Sequence, residues 1–173
     1  MSANLTKWTK LLKDLGSMGD YEVKIGVQGE QAAAKHGEGS DLTNAEIAAV
    51  HEFSGPGDKP PGRPFIRPPM LENEALWKGK LANMLRSIII KGENPQKAYR
   101  VVGEEYRKAI MDRMGKGIPP PLSEQTINRR KGQNTQGKRD KIEAKGKSLD
   151  VTPLIDTGTL RGSISVVVGK RNA

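Results

Sequence analysis

Leu5, Trp8, Leu11, Leu12 and Leu15 recur at spacings of three and four with lysines between them. That pattern predicts a short amphipathic first helix, closed by Gly16. The period then changes to two: Tyr21, Val23, Ile25 and Val27 alternate with Glu22, Lys24, Gly26 and Gln28, as in a half-buried strand. Residues 29–41 carry Ala, Gly, Ser and charge and read as a loop. Thr43 with Glu46 three residues on forms a capping box, and Ala45, Ile47, Ala48, Val50 and Phe53 follow in a short helix ended by Ser54-Gly55.

Six of the eleven prolines lie between Pro56 and Pro69. Proline fixes φ and lacks a donor, so residues 55–69 read as a stiff, extended connector. Leu71, Ala75, Trp77, Leu81, Met84, Leu85 and Ile88 then mark a long helix stopped near Gly92. Asn94 as cap and Pro95 at the first helical position open another, with Ala98, Val102, Tyr106, Ala109 and Ile110 on one face. These two helices are expected to pair antiparallel. After Pro119 to Pro121, Ser123 caps a short basic helix through Arg130, and residues 131–150 read as a mobile basic loop. Asp156 is placed as the cap of a turn over Thr157 to Arg161. Ile164, Val166 and Val168 form a second strand, and the apolar Val167 between them suggests a position covered on both faces. The expected fold class is α+β: a small, mostly antiparallel sheet packed by two long helices and shorter ones, with extended Pro-rich and basic loops, in one domain over residues 1–173.

Composition makes the core thin. Of 173 residues 35% are hydrophobic and only 4% aromatic, and aromatic residues dominate core and interface energetics. Part of the stability is therefore expected to come from neighbouring subunits. Without cysteine there is no disulfide framework and no thiolate zinc site. The longest apolar run, around Ser87 to Ile90, is far short of the roughly 20 residues that span a bilayer, and the N-terminus lacks the apolar stretch of a secretory signal. No membrane association is expected, and the chain reads as a soluble intracellular product.

The net charge of +9 is unevenly placed. From Pro119 onward there are 11 basic and 5 acidic residues, so +6 of the excess lies in the last third. Arg129, Arg130, Lys131, Lys138, Arg139 and Lys141 form the candidate patch, facing DNA or an acidic partner. Aromatic residues do not interleave with it, so a base-stacking platform is absent and only nonspecific phosphate attraction remains.

Candidate catalytic chemistry is sparse. Leu154-Ile155-Asp156-Thr157-Gly158 resembles an aspartic-protease turn, but Asp156 reads more simply as a helix cap. His51-Glu52 begins like a zincin helix, yet Gly55 stands where the second ligand would be. No glycine-rich stretch has phosphate-cradle spacing and no Ser or Thr sits in a nucleophile elbow. No catalytic residue, metal site or cofactor is assigned. A free nucleic-acid-binding protein is the competing class.

Three segments taken in order carry a resemblance: YEVKIGV followed by TNAEIAAVHEFSG; PPGRPFIRPPM; and PPPLSEQTINRRKG with TPLIDTGTLRGSISVVV. Together they make up 62 of the 173 residues and resemble the tail-component and neck family of long-tailed bacteriophages, the tail completion or head-to-tail joining proteins. The resemblance implies a non-enzymatic virion protein in a homo-oligomeric ring of six or twelve copies around the DNA channel, between neighbouring neck, connector and tail-tube proteins. Tail terminator and head-side adaptor rings are the neighbouring alternatives. In a ring each subunit buries surface on two neighbours, which suits a thin core. Nonspecific contact with packaged DNA would engage the basic surplus. Arg63, Phe65, Ile66 and Arg67, set among prolines, are the candidate subunit or partner interface.

Overall fold

The computed structural model describes residues 2–36, 41–55, 57–133, 152–155 and 158–171. Helix α1 spans Ser2–Ser17 and runs through a 3-10 turn, Met18–Asp20, into strand β1, Tyr21–Val27. Two short helices follow, α2 over Glu30–Ala33 and α3 over Asn44–Phe53. A single turn α4, Pro68–Leu71, leads to the long helices α5, Glu74–Lys91, and α6, Pro95–Gly115. Helix α7 covers Glu124–Gln133, and a turn α8, Thr159–Gly162, precedes strand β2, Ile164–Lys170.

The two strands pair antiparallel, Tyr21 opposite Lys170 and Val27 opposite Ile164. Alternation decides their faces. Ile164, Val166 and Val168 are buried while Val167 is exposed, so β2 has one covered face rather than the two expected. The covered face lies on α6. At their crossing a Cβ on Gly103 would stand 2.6 Å from Val166 Cγ1 and 3.1 Å from Val23 Cγ1. Glycine here trades helix propensity for close approach.

Helices α5 and α6 form the expected pair. Gly92 takes the left-handed conformation at φ 65° that ends α5, Asn94 Oδ1 accepts from the Lys97 amide at 3.2 Å, and Pro95 opens α6. The buried stripe of α5 is narrower than the sequence pattern, consisting of Trp77, Met84 and Ile88. Leu71 falls outside α5, in the exposed part of α4, and Leu81 and Leu85 also face outward.

Two apolar clusters fill the interior. The larger joins Ala48, Phe65, Trp77, Tyr106, Ile110, Met114, Ile118, Leu160 and Ile164; the smaller joins Met18, Met84, Ile88 and Ala98. Leu15 of α1 packs on the smaller one, and Tyr99 Oη donates to the Met18 carbonyl at 3.2 Å. Three more members of the apolar stripe of α1 are uncovered: Leu5, Trp8 and Leu12 are 72%, 63% and 66% exposed. The stretch expected as a loop after β1 contains the helical turn α2 and a bridge between Lys35 and Thr43. Gly158, at φ 82°, occupies the N-cap position of α8. Asp156, expected in that role, lies outside the described residues. Among the described residues, no helix is long and apolar enough to cross a membrane.

The glycines of the two long helices separate packing from propensity. Gly103→Ala is expected to destabilise the fold by about 1–3 kcal/mol through the Val166 clash, more than the roughly 1 kcal/mol that alanine adds to a helix. Gly79→Ala in α5, where nothing lies within 4 Å of the new methyl, is expected to stabilise by about 0.5–1 kcal/mol. Urea denaturation of the two variants checks this; equal effects would mean that the α6 crossing is not limiting.

Candidate interaction site

Between Pro64 and Pro68 the only backbone donors are those of Phe65, Ile66 and Arg67. All three end on one carboxylate. Glu52 Oε2 accepts from the Phe65 and Ile66 amides at 2.8 and 2.9 Å, and Oε1 accepts from the Arg67 amide at 3.1 Å and from Arg67 Nε at 2.9 Å. Arg67 reaches back to donate to the Glu52 carbonyl at 2.9 Å. The carbonyls of the same segment also meet side chains: Arg113 Nε donates to Pro64, Tyr106 Oη to Ile66 and Trp77 Nε1 to Pro69. The segment is thus a strap fastened across α3, α5 and α6.

Burial pushes the Glu52 carboxyl up. The hydrogen bonds from Ile66, Arg67 and Phe65 together outweigh it and hold the group below the ordinary carboxylate value. Glu52 belongs to the buried line of α3, which consists of Asn44, Ala48 and Glu52 at i, i+4 and i+8. Asn44, fully buried, donates to the Gln31 carbonyl at 2.8 Å and pairs with His36 Nδ1 at 2.9 Å. The expected capping box of Thr43 and Glu46 is present. Ala48 is buried and Ile47 packs on the core, while Phe53 is 71% exposed.

The four residues expected at an interface divide. Phe65 is 0% exposed and belongs to the large core cluster, so it has no surface left for a partner. Arg63, 5% exposed, donates from Nε to the Pro120 carbonyl at 2.8 Å and from an Nη to Pro121 at 3.2 Å, tying the strap to the second proline turn. Ile66 is half-buried against the same core. Arg67 alone stays exposed, with its guanidinium 4.8 Å from the centre of the Phe53 ring. Phe65 and Arg63 thus lock the subunit internally.

Of the basic patch, Arg130 is half-buried rather than presented to a partner. It donates to the carbonyls of Ile155 at 2.9 Å and Thr152 at 3.3 Å, fastening α7 to the segment before α8. Arg129 and Lys131 lie on α7 with side chains outside the description, and Lys138, Arg139 and Lys141 lie outside the described residues. Burial and then the Arg63 charge lower the His51 pKa below its ordinary value, against a hydrogen bond to the Pro61 carbonyl. Among the described residues, no three His, Asp or Glu side chains gather as a metal site.

The strap leaves an apolar hollow of about 240 Å³ beside the end of β1. Val27, Ala45, Ala49, Phe53 and Ile66 line it, with Arg67 at its edge. Periodicity missed this site because it does not show that Glu52 is buried or that Phe53 is left outside the core. The usable signal is the proline spacing, since three consecutive donors without a partner strand require an acceptor. Comparison with protein-family models, curated proteins and solved structures finds no match for this chain.

The Glu52 clasp has a pH signature. Its folded-state pKa lies below the unfolded one, so its stabilisation is complete above the ordinary carboxylate range and is lost as pH falls through the lowered folded value. Glu52→Gln keeps one accepting oxygen and turns an NH₂ toward two donors, which is expected to cost about 2–4 kcal/mol at pH 7. Denaturant midpoints of both proteins from pH 7 to 3 should converge at the acid end; parallel curves would assign the acid sensitivity elsewhere.

Proposed function

We propose that this chain is a structural subunit of the neck of a long-tailed bacteriophage, a tail-completion or head-tail connecting protein, assembled in the host cytoplasm as a homo-oligomeric ring around the DNA channel. It acts by holding a shape and not by catalysis. The observation that carries the reading is Phe53, a large aromatic side chain at the rim of an apolar hollow and unprotected by its own chain. Directly beneath it the Glu52 clasp fixes the strap, so the hollow is a preformed surface on a rigid base. Aromatic residues of this kind anchor interfaces when a neighbour covers them. The open outer face of the ribbon, with Val167 exposed on it, adds surface that a neighbouring subunit can cover.

A heterologous contact between Phe53 and a different face of the next copy closes into a ring when the rotation between subunits divides a full turn. The order of the three resembling segments supports the same assignment. In such a ring the basic last third of the chain faces the channel or an acidic neighbour, and attraction to phosphate needs no sequence readout.

Native mass spectrometry of the purified protein is expected to show six or twelve copies of the 18.9 kDa chain. Phe53→Asp should yield monomers that stay folded, because the side chain lies outside both core clusters, with a thermal midpoint lowered by the loss of the subunit contacts. A wild-type protein that stays monomeric, or a Phe53→Asp protein that still forms the ring, would overturn the proposal.

A further inference from the structure

The uncovered stripe of α1 continues into a groove of about 490 Å³ between α1 and the C-terminal end of α5. Trp8 and Leu11 form one wall, Ile89 and Ile90 the other, and Ile90 is 73% exposed. Lys7, Lys10 and Lys91 stand around it. Only Lys10 is neutralised locally, by Asp14 at 2.5 Å; Lys7 and Lys91 have no ion pair among the described residues. An apolar floor with a cationic rim is therefore left open between α1 and the end of α5.

We infer that this groove is a docking site for an amphipathic helix of another protein, one whose apolar stripe is flanked by acidic residues. Two features select that occupant. The walls are two helices with a cleft between them, which accept side chains projecting at i, i+3, i+4 and i+7 from a third helix. Their rim carries unpaired positive charge, which acidic flanks complement and basic flanks repel. A second copy docking by this same face would bring Lys7 and Lys91 against their own counterparts. An anionic bilayer would satisfy the charge but presents a plane, and would leave the cleft between Leu11 and Ile90 unfilled. The inference is independent of the neck assignment, since it concerns another face and stands whether or not the chain forms a ring.

Trp8 supplies the readout, because it is exposed while Trp77, the other tryptophan, is 4% exposed in the core. The probes are two synthetic helical peptides with the same leucine stripe, one flanked by glutamates and the other by lysines, titrated into the full-length protein. The glutamate peptide is expected to shift Trp8 emission to the blue and saturate, with affinity at least about tenfold above that of the lysine peptide and falling with added salt. Ile90→Asp should weaken the glutamate peptide by about tenfold or more at an unchanged thermal midpoint, since Ile90 lies outside the core. Equal binding of the two peptides, binding by neither, or full binding to Ile90→Asp would overturn the proposal. So would a Trp8 shift that phosphatidylglycerol vesicles, or rising protein concentration alone, produce and the glutamate peptide does not.

Discussion

A chain segment that passes through the interior must have every backbone donor and acceptor met, and prolines at 64, 68 and 69 stop residues 64–69 from meeting theirs in a sheet or a long helix. Side chains take over that role. One carboxylate accepts from three consecutive amides, and an arginine, a tyrosine and a tryptophan on α5 and α6 donate to the carbonyls. Because these groups come from three helices, the strap fixes the helices relative to one another while inserting Phe65 among Trp77, Tyr106 and Ile110. Trp77 and Tyr106, which hold the strap through their polar tips, also meet edge to face with centroids 4.9 Å apart. The core with few aromatics thus uses three of them at one junction, each with its donor or apolar face engaged.

Helix α3 is polar on its buried side for the same reason. An apolar helix face stabilises by area alone and tolerates sliding, whereas Asn44 and Glu52 specify one position each, binding the turn after β1 at one end and the strap at the other. With the buried line given to these two residues and Ala48, the larger apolar side chains of α3 fall to its flanks, and Phe53 falls outside altogether. The exposed aromatic and the buried acid are two consequences of one helix rotation. That rotation is what turns a structural clasp into the base of an interaction surface.

Elements set by local chemistry were legible in the sequence. The alternation of Tyr21 to Val27, the Thr43 and Glu46 box, the Asn94-Pro95 start and the Gly92 stop each depend on neighbours a few residues away, and each stands as read. What periodicity misread depends on partners distant in the chain. Glu52 looks like a surface acid unless Phe65, Ile66 and Arg67 are known to arrive without a strand to pair with. Arg130 looks like part of a basic patch unless the carbonyls of Thr152 and Ile155 are known to lie beside it. Leu5, Trp8 and Leu12 show the converse: the pattern correctly gives an amphipathic helix, but amphipathicity does not say whether the same chain supplies the cover.

The two ends of the molecule are held by different kinds of force, and this assigns them different roles. Around the strap, directional hydrogen bonds between buried groups permit one arrangement, and breaking any of them leaves an unmet polar atom. Around α1, Leu15, Met18, Met84 and Ile88 make mainly nondirectional apolar contact, and the turn after α1 is tied by the Tyr99 hydroxyl to the Met18 carbonyl and by the Arg171 amide to the Asp20 carbonyl. Contacts of that kind allow a helix to shift at small cost. A surface that must match one neighbour in a fixed geometry belongs over the rigid clasp, where Phe53 is. A groove that must admit a helix between two others belongs where one wall can adjust, and α1 provides it.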